Sequence, residues 1–274
     1  MPELPEVETV VRRLRSSVVN QKIQKVRIVT PKIVRPPAGP FIKSLQGAII
    51  RKISRKGKFI LITLDPAGTL ILHLKMTGQV LLETTATPGD QHTHLILSFY
   101  SSPIHMHYRD IRKFGFFDFL SGGAVGEPLY LKKIGPDPLE ISPKTFFERI
   151  RHKKRSIKSV LLDQSVISGL GNIYVDESLF LSGVHPQIKA STLSPDQART
   201  LFRIIKKILN RAIDLQGSTL RNFRTPDGNS GGYQKFHQVY RRKGQSCPRC
   251  GSSIAKMIVA GRGTHYCPSC QRTG

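Results

Sequence analysis

Hydrophobic and polar positions recur with a helical period at the start of the chain. Leu4, Val7, Val11 and Leu14 fall at helical spacing, and several arginines lie on the other side. This spacing predicts an amphipathic helix with one buried stripe. Pro5 lies within its first turn, a position that proline tolerates well. The first element is therefore predicted to be a short helix.

The pattern changes to short apolar segments between about residues 22 and 120. They are rich in Ile, Leu, Val, Phe and Thr, and Gly or Pro separates several of them. Such segments are typical of β-strands. The predicted strands are Lys25–Thr30, Lys58–Asp65, Thr69–Met76, His94–Tyr100 and Phe114–Leu120. Several short strands in succession favour an antiparallel β-sandwich.

A helical pattern returns after the segment 136–138, Pro-Asp-Pro, which we interpret as a linker. The predicted helices are Pro143–Arg151, Ser156–Asp163, Ile173–Ser182 and Ser194–Leu215. The last begins Ser-Pro-Asp-Gln, which combines a capping serine, an early proline and a glutamine three residues on. The second half of the chain is therefore predicted to be helical.

Residues 217–235 hold four glycines together with Ser, Asn, Asp and Pro, so they predict a long loop. The loop offers few apolar anchors, and we expect it not to become ordered by itself. The whole pattern predicts an α+β protein. Its domains would be 1–135, a β-sandwich with an N-terminal helix; 136–235, helical, with the loop 217–235; and 236–274, a cysteine-containing tail.

Charge adds a partner to this picture. The 274 residues include 43 Lys and Arg against 18 Asp and Glu, a formal net charge of +25. Such an excess repels itself unless a polyanion accepts it, which favours nucleic acid over an anionic membrane surface. No stretch approaches the roughly 18 apolar residues of a membrane span, and the N-terminus lacks the apolar region of a signal peptide. We expect a cytoplasmic protein without a membrane partner.

The four cysteines predict a zinc site. Cys247, Cys250, Cys267 and Cys270 form two C-x2-C pairs separated by sixteen residues. Two pairs at this spacing can supply four thiolates to one tetrahedral Zn²⁺, which leaves no position for water and makes the zinc structural. Two redox-active pairs are the alternative, but no βαβ pattern accompanies them. The residues between the pairs predict a hairpin with its tip at 261–263.

Four segments together resemble the bacterial formamidopyrimidine-DNA glycosylases over essentially the whole chain. They are the N-terminal run Pro2–Thr9, the segment Arg55–Phe59, the segment Gly169–Tyr174 and the four-Cys tail. The resemblance implies that the helical domain is a helix–two-turn–helix domain and that the tail is a zinc finger. It implies removal of oxidised purines from double-stranded DNA, followed by cleavage of the abasic strand.

Amine chemistry supports the same reading of the N-terminus. An amine that attacks the sugar C1′ must be neutral, and it forms a Schiff base. An α-amine with a pKa near 7.7–8.0 is about 20–30% neutral at pH 7.4, whereas a free lysine is about 0.1% neutral. Removal of Met1 would expose the secondary amine of Pro2, whose iminium cannot lose a proton to become a neutral imine. Without the other motifs, Pro2 would be an ordinary first-turn proline.

The resemblance assigns three more catalytic residues. Glu3 would open the sugar ring and move protons, Lys58 would donate a proton in β-elimination, and Arg262 would contact phosphate and assist δ-elimination. Each has a simpler alternative. Glu3 and Glu6 suit the positive end of a helix dipole, Lys58 suits a basic hairpin, and Arg262 suits a solvated hairpin tip.

The remaining implied residues bind DNA. Met76, Arg112 and Phe114 would fill the space left by the flipped nucleotide and hold its partner base. His92, Lys153, Lys158 and Asn172 would bind phosphates. By themselves, Met76 and Phe114 would be assigned to the core, His92 to a loop, and Asn172 to a helix cap.

Three positions depart from the family pattern. The family often has Gly at the position of Lys75, Arg at that of Lys113 and Gly at that of Arg241. These departures affect loop geometry and phosphate affinity rather than the reaction. The resemblance also implies that the loop 217–235 closes over 8-oxoguanine and that the enzyme acts as a monomer on nucleoid DNA. The alternatives are a related glycosylase for oxidised pyrimidines and a zinc-finger nucleic-acid binder without catalysis.

Overall fold

The computed structural model describes residues 1–66, 68–84, 89–122 and 128–272. The chain forms two compact units. The first comprises Met1–Pro128 and Leu215–Gly232, and the second comprises Leu129–Asp214 and Tyr233–Gly274. Most of the predicted loop 217–235 thus lies within the N-terminal unit, whereas the cysteine-containing tail lies in the same unit as the helices.

The N-terminal unit is built from strands preceded by one helix. Its elements in chain order are α1 (Leu4–Val18), β1 (Ile23–Ile28), β2 (Val34–Arg35), α2 (Ala38–Leu45), β3 (Ile49–Lys56), β4 (Phe59–Asp65), β5 (Gly68–His73), β6 (Gly78–Glu83), β7 (Thr93–Phe99), β8 (His105–Asp110) and β9 (Phe116–Ser121). A single 3-10 turn, Pro31–Ile33, precedes β2.

The strands form two sheets. One has the order β1-β7-β8-β6 and the other the order β2-β9-β5-β4-β3. Neighbouring strands pair antiparallel except β2 and β9, whose short pairing is parallel. The two sheets share one hydrophobic core. Tyr108 of β8 and Phe117 of β9 join the sheets, with ring centroids 4.9 Å apart. The predicted antiparallel β-sandwich is therefore confirmed.

The apolar stripe of α1 belongs to the same core. Val7, Val11, Leu14 and Val18 are buried in it, as their spacing predicts. Burial of such a helix face stabilises the unit at about 25 cal/mol per Å² of apolar surface. The stripe fixes the orientation of α1 on the sheet, and with it the position of the first residues of the chain.

The second unit contains the helices α3 (Leu129–Lys132), α4 (Pro143–Ile150), α5 (Ile157–Leu162), α6 (Asn172–Leu181) and α7 (Pro195–Asp214), followed by the strands β10 (Ala255–Val259) and β11 (Arg262–Tyr266). Short 3-10 turns lie at Ala190–Thr192 and Tyr233–Phe236. Each of the four helices predicted after residue 138 is present.

The start of α7 has the reciprocal contacts that its sequence predicts. The amide of Gln197 donates to the Ser194 hydroxyl at 3.2 Å, and the amide of Ser194 donates to the Gln197 side chain at 2.9 Å. This arrangement satisfies N–H groups that the helix itself leaves without a partner. Of the helices in the described ranges, none has the length and apolar composition that a bilayer span requires.

Candidate active site

The N-terminus of α1 holds Pro2 in a fixed position. Pro2 and Glu3 are buried, and Glu3 is the residue that caps the helix. The amide of Glu3 donates to the carboxylate of Glu6 at 2.7 Å, and the Glu3 side chain receives the amide of Glu6 in return. The amide held by Glu6 is the one that joins Pro2 to Glu3. The capping contacts therefore orient the proposed nucleophile as well as the helix.

Glu6 also links this end of the helix to the segment that follows residue 216. Its Oε1 accepts a hydrogen bond from the amide of Ser218 at 2.7 Å. Gly217 has φ +79°, and a Cβ there would lie 2.7 Å from the Glu6 carboxylate. Glycine is required for both reasons. The first residues of the predicted loop thus contact Glu6, the residue that holds the Pro2–Glu3 peptide.

Lys58 lies in the turn between β3 and β4 and is only 6% exposed. Contacts between α1 and β3 place this turn. Arg15 donates to the carbonyl of Ile53 at 2.9 Å, and Arg55 donates to Glu8 at 3.0 Å. Ile53 is thus bound near the end of α1, and Arg55, two residues closer to the turn, is bound near the start of α1. Lys58 follows three residues after Arg55, which is bound to Glu8 near the start of α1.

His73 is a member of this region that the sequence did not indicate. It pairs with Phe59 across β4 and β5, with ring centroids 4.5 Å apart, and its Nδ1 accepts the amide of Lys75 at 2.9 Å. Burial, with the charges of Lys75 and Lys58, lowers the pKa of His73 to about 3. The imidazole is therefore neutral at pH 7 and adds no cation beside Lys58. A single histidine in a strand gives no sequence signal that it is buried near Lys58.

The residues expected to enter the DNA stack are exposed. Met76 is 39% exposed and Phe114 is 53% exposed, so neither belongs to the core. The Arg112 guanidinium lies 4.4 Å from the centroid of the Phe114 ring. A cation stacked on an apolar wedge matches the arrangement that minor-groove insertion requires. His92 is half-buried, and its amide donates to Asp90 at 3.0 Å.

A buried aspartate supports the segment that carries Arg112 and Phe114. Asp110 is fully buried and accepts hydrogen bonds from the Tyr108 hydroxyl and from the amides of Arg112 and Gly115. A Cβ on Gly115 would lie 1.7 Å from the Tyr108 hydroxyl, so a larger residue cannot fit there. These contacts hold the exposed ring of Phe114 on a rigid base.

Replacing Phe114 with Ala is expected to leave the free energy of unfolding within about 1 kcal/mol of the unchanged chain, because an exposed ring loses little on truncation. Replacing the fully buried Phe117 is the matched comparison, with an expected loss of about 3–5 kcal/mol. Urea unfolding measures both. Base excision by Phe114→Ala should slow while abasic-site cleavage changes less. A large loss of stability with normal excision would assign Phe114 to the core.

Asn172 joins the helical unit to the finger hairpin. It is the first residue of α6, and its Nδ2 donates to the carbonyl of Gly263 at 2.8 Å. The amide ends of a helix favour an anion at this position. Gly263 follows Arg262 in β11, so the structure brings Arg262 and the start of α6 together. Both were predicted to contact phosphate.

The position of Arg262 differs from the prediction. The turn of the hairpin is Ala260 and Gly261, both with positive φ, and Arg262 is already paired with Val259 as the first residue of β11. A two-residue turn of this kind follows the right-handed twist of the strands. Arg262 is exposed beside the turn, and pairing with Val259 fixes its backbone.

Lys158 does not lie where a phosphate could reach it. It is fully buried in α5, and its amino group donates to Asp176 of α6 at 2.5 Å, also fully buried. Asp176 accepts the amide of His265 in β11 at 2.9 Å with its other oxygen. The expected phosphate contact is thus replaced by an internal ion pair that joins two helices to the hairpin. Lys153, by contrast, is exposed.

Glu177, next to Asp176, fixes the segment that leads into the finger. It is fully buried, and its carboxylate accepts the amides of Gln238, Val239 and Tyr240. Burial, together with the neighbouring charge of Asp176, raises the pKa of Glu177 despite these bonds. No spacing in the sequence distinguishes this glutamate from a solvated one.

The four cysteines meet at one point. Their sulfur atoms all lie within 4.8 Å of one another, with Cys247 and Cys270 3.9 Å apart and Cys250 and Cys267 3.5 Å apart. Four thiolates at this separation fit the tetrahedral Zn–S geometry, with bonds of about 2.3 Å. They fill the coordination sphere, so the site suits a structural metal.

Three family models match successive parts of the chain. Residues 1–117 match the formamidopyrimidine-DNA glycosylase N-terminal domain, residues 134–224 match the formamidopyrimidine-DNA glycosylase H2TH domain, and residues 244–273 match a zinc finger found in FPG and IleRS. The formamidopyrimidine-DNA glycosylase of Bacillus subtilis is 42% identical over 275 residues, covering 99% of both chains. The chain belongs to the formamidopyrimidine-DNA glycosylase family.

Solved members of this family have the same fold. The Lactococcus lactis protein with abasic-site DNA is 41% identical, covers 98% of this chain and 99% of its own, and has a TM-score of 0.91. A mutant of that protein with a Fapy-dG-containing DNA is 40% identical and has a TM-score of 0.91. The match covers 99% of this chain and 100% of the mutant chain. The predicted arrangement of β-sandwich, helix–two-turn–helix domain and zinc finger is confirmed.

Two departures from the formamidopyrimidine-DNA glycosylase pattern have a backbone explanation. Lys75 and Arg241 have φ +50° and +63°, in the left-handed region that glycine enters without steric cost. These are the positions where the family often has Gly. The backbone geometry is therefore kept here by residues with side chains, at the cost of local strain.

Proposed function

We propose that the chain is a DNA base-excision repair enzyme that removes oxidised purines, namely formamidopyrimidines and 8-oxoguanine, and then cuts the abasic strand. The observation that carries this proposal is the match of residues 1–117, 134–224 and 244–273 to domains of the formamidopyrimidine-DNA glycosylases, because these ranges include every candidate site residue. The net charge of +25 suits the DNA substrate.

The proposed reaction begins at Pro2. With Met1 removed, the Pro2 nitrogen bonds to the sugar C1′ as the bond from C1′ to the base breaks, and the base leaves with a proton. Glu3 opens the sugar ring by moving a proton to its oxygen. The product is a cationic Schiff base between Pro2 and the opened sugar. The buried capping contacts of Glu6 support this role because they orient the Pro2–Glu3 peptide.

Strand cleavage follows from the same Schiff base. The iminium withdraws electrons, so the Glu3 carboxylate, which has given its proton to the ring oxygen, takes a proton from the sugar C2′ and the 3′ phosphate leaves in β-elimination. Lys58 donates the proton that this step needs. A second elimination releases the 5′ phosphate, with Arg262 as the phosphate contact and proton donor. Hydrolysis then frees Pro2 for another turnover.

The other candidate residues hold the distorted duplex. Asn172 and Arg262 bind phosphate at the start of α6, and His92 and Lys153 bind phosphates elsewhere. Met76, Arg112 and Phe114 fill the space of the flipped nucleotide. One structural zinc on Cys247, Cys250, Cys267 and Cys270 keeps the finger folded. We propose that the enzyme works as a monomer in the cytoplasm, on nucleoid DNA.

Duplexes carrying one defined lesion test this function. We expect release of formamidopyrimidine and 8-oxoguanine, with strand ends that bear phosphate on both sides, as β,δ-elimination produces. Faster removal of oxidised pyrimidines than of oxidised purines would indicate the related glycosylase. Binding without cleavage of abasic DNA would indicate a zinc-finger binder and contradict the proposal.

Shortening the loop is expected to affect 8-oxoguanine removal most. Loop contacts allow a specific deletion: residues 227–230 can be removed while the bond between Ser218 and Glu6 and the buried Phe223 remain. The reacting groups lie elsewhere in the chain, so formamidopyrimidine removal and abasic-site cleavage should suffer less. Single-turnover rates on the three substrates measure the difference.

The matched control is Asp227→Asn, since Asp227 accepts from Arg13 at 2.7 Å. This substitution removes the tether between the loop and α1 without changing the loop length. We expect Asp227→Asn to change the three rates by more similar factors than the deletion does. An equal loss of all three activities in the deletion variant would assign 217–235 to a surface linker and defeat the capping role.

A further inference from the structure

A cleft of about 410 Å³ lies within the helical unit, and the proposed reaction does not use it. We call it the α7 cleft. Its lining residues are Leu181, Ile204, Lys207, Ile208, Arg211, Tyr233, Phe236, Gln238 and Arg249. Its volume is in the range of sites that take one large side chain or a small ligand.

One face of α7 forms a wall of the cleft. Ile204, Lys207, Ile208 and Arg211 follow the spacing i, i+3, i+4 and i+7, so they share one side of the helix. Lys207 and Arg211 are exposed and Ile204 is half-buried, whereas Ile208 is buried on the same face as Leu201. The two exposed cations and the accessible part of Ile204 suit a ligand that is apolar and anionic at once.

Aromatic contacts fix the cations of the cleft in place. The Arg211 guanidinium lies 4.2 Å from the centroid of the Phe236 ring, which is 37% exposed. Arg249 stacks on the Phe180 ring at 4.9 Å and donates to the carbonyl of Leu181 at 2.7 Å. The stacked Arg211 guanidinium keeps its N–H edge available for a carboxylate and loses less freedom on binding, whereas Arg249 is already bound to main-chain carbonyls and adds positive charge to the wall.

The charge of the cleft has no internal counterpart. Lys207, Arg211 and Arg249 line it, and no Asp or Glu does. Within the described ranges of the chain, none of these three cations forms an ion pair. A ligand with carboxylates would therefore meet complementary charge on several sides.

The α7 cleft lies far from the phosphate-binding end of α6. Leu181 is nine residues after Asn172 on the same helix, a separation of about 13 Å at 1.5 Å per residue. Arg249 lies between the first two cysteines, whereas Arg262 lies at the far end of the hairpin. An occupant of the cleft therefore need not displace DNA from Asn172 and Arg262.

We propose that the α7 cleft binds an acidic segment of a partner protein that carries one bulky apolar side chain. The apolar side chain packs on Ile204 and Phe236, and the carboxylates pair with Lys207 and Arg211, with the charge of Arg249 nearby. A concave floor of aliphatic and aromatic groups favours this occupant over a DNA backbone, whose phosphates bring no apolar surface. The site would attach the enzyme to another protein while it holds DNA.

A defined peptide tests the proposal with the full zinc-loaded chain. The probe is a fluorescein-labelled Asp-Asp-Phe-Asp-Asp-Gly peptide, followed by fluorescence anisotropy. We expect saturable binding that weakens as salt is added. Replacing the peptide Phe by Ser, or its Asp residues by Asn, should each weaken binding at least about tenfold.

Variants of the chain locate the binding site. Arg211→Glu should weaken peptide binding at least about tenfold, and Phe236→Ala about fivefold. Lys144→Glu on α4 is the matched control, because it makes the same charge change at an exposed residue outside the cleft. It should change the peptide Kd less than about twofold. All three variants should cleave abasic DNA at the rate of the unchanged chain, which also shows that they are folded.

Four results would overturn the proposal. They are no peptide binding by the unchanged chain, equal binding of the Phe and Ser peptides, equal effects of Arg211→Glu and Lys144→Glu, and full displacement of the peptide by an undamaged duplex. If Arg211→Glu also weakens duplex binding more than Lys144→Glu does, the α7 cleft is a DNA-binding surface instead.

Discussion

A two-residue extension ahead of Pro2 is expected to abolish borohydride trapping of the enzyme on lesion DNA. The unextended enzyme, with Met1 removed, should give a covalent species that migrates as protein plus DNA. The extension converts the Pro2 nitrogen into a peptide nitrogen without nucleophilic character. It also moves the nearest α-amine by up to about 7 Å. We expect trapping to fall at least about 100-fold, because the α-amine is displaced from the position of Pro2 and a free lysine amine is a poor nucleophile at neutral pH.

The structure makes this effect specific to the N-terminus. Pro2 is buried and its peptide is held by Glu6, whereas Met1 is 49% exposed. An aminopeptidase can therefore reach Met1 without unfolding α1. Intact-mass measurement establishes whether Met1 has been removed before trapping is attempted. The extended chain should keep its zinc and its affinity for an uncleavable abasic analogue, since the residues proposed for both lie elsewhere.

Peptide mapping of the trapped species decides the assignment. The cross-link should map to Pro2. A cross-link at an internal lysine, or trapping that survives the extension, would remove Pro2 from the mechanism. Pro2→Gly is not a useful control, because a primary α-amine remains at the same place. Glu3→Gln is more informative, since it should reduce the rate of trapping while leaving the amine intact.

The sequence predicted helices and strands best where the side chains that face the core are aliphatic. The strands at β4, β5 and β7 and the helices α4 to α7 were predicted within a few residues. The strand β8 was not, because its inward residues are Met106, Tyr108 and Asp110. A buried aspartate in a strand reads as a turn residue until its hydrogen-bond partners are known. The strand β3 was missed although its buried residues, Ile50 and Ile53, are aliphatic, because charged residues separate them. The strand β6 and the helix α2 were missed as well.

Side-chain roles were harder to predict where they depend on distant partners. Lys158 resembles a phosphate contact in the sequence, yet Asp176, eighteen residues later, holds it in the interior. The loop was expected to have few apolar anchors, and Phe223 is buried in the core of the N-terminal unit. The exposure of Phe114 agrees with the family resemblance, because an exposed position does not depend on packing against distant parts of the chain.

Cys247→Ser is expected to release the zinc and to weaken DNA binding strongly. A structural zinc site contributes about 10–16 kcal/mol to the folding of a small finger, so loss of one thiolate removes most of its stabilisation. Cys247 and Cys267 pack against Phe180 of α6, together with Val239 and Ile254. Without the metal this small cluster should open.

The effect on DNA follows from the hairpin contacts. Arg262 is held beside Asn172 by the bond from Asn172 to the Gly263 carbonyl. Two residues further along β11, the amide of His265 donates to Asp176. An unfolded finger loses these contacts together. Cys247→Ser should therefore weaken binding to abasic DNA more than Arg262→Ala, which removes one phosphate contact from an intact hairpin.

Metal analysis, DNA titration and hydrogen exchange separate a local effect from general unfolding. Ser269→Ala is the matched control, because Ser269 lies between Cys267 and Cys270 and its hydroxyl bonds to the hydroxyl of Ser252, two residues after Cys250. It should retain one zinc per chain and bind DNA almost normally. In Cys247→Ser, amides of β4 and β5 should keep their protection, since the sandwich has its own core. Normal DNA binding by Cys247→Ser, or an unchanged chain with less than one zinc, would contradict the finger assignment.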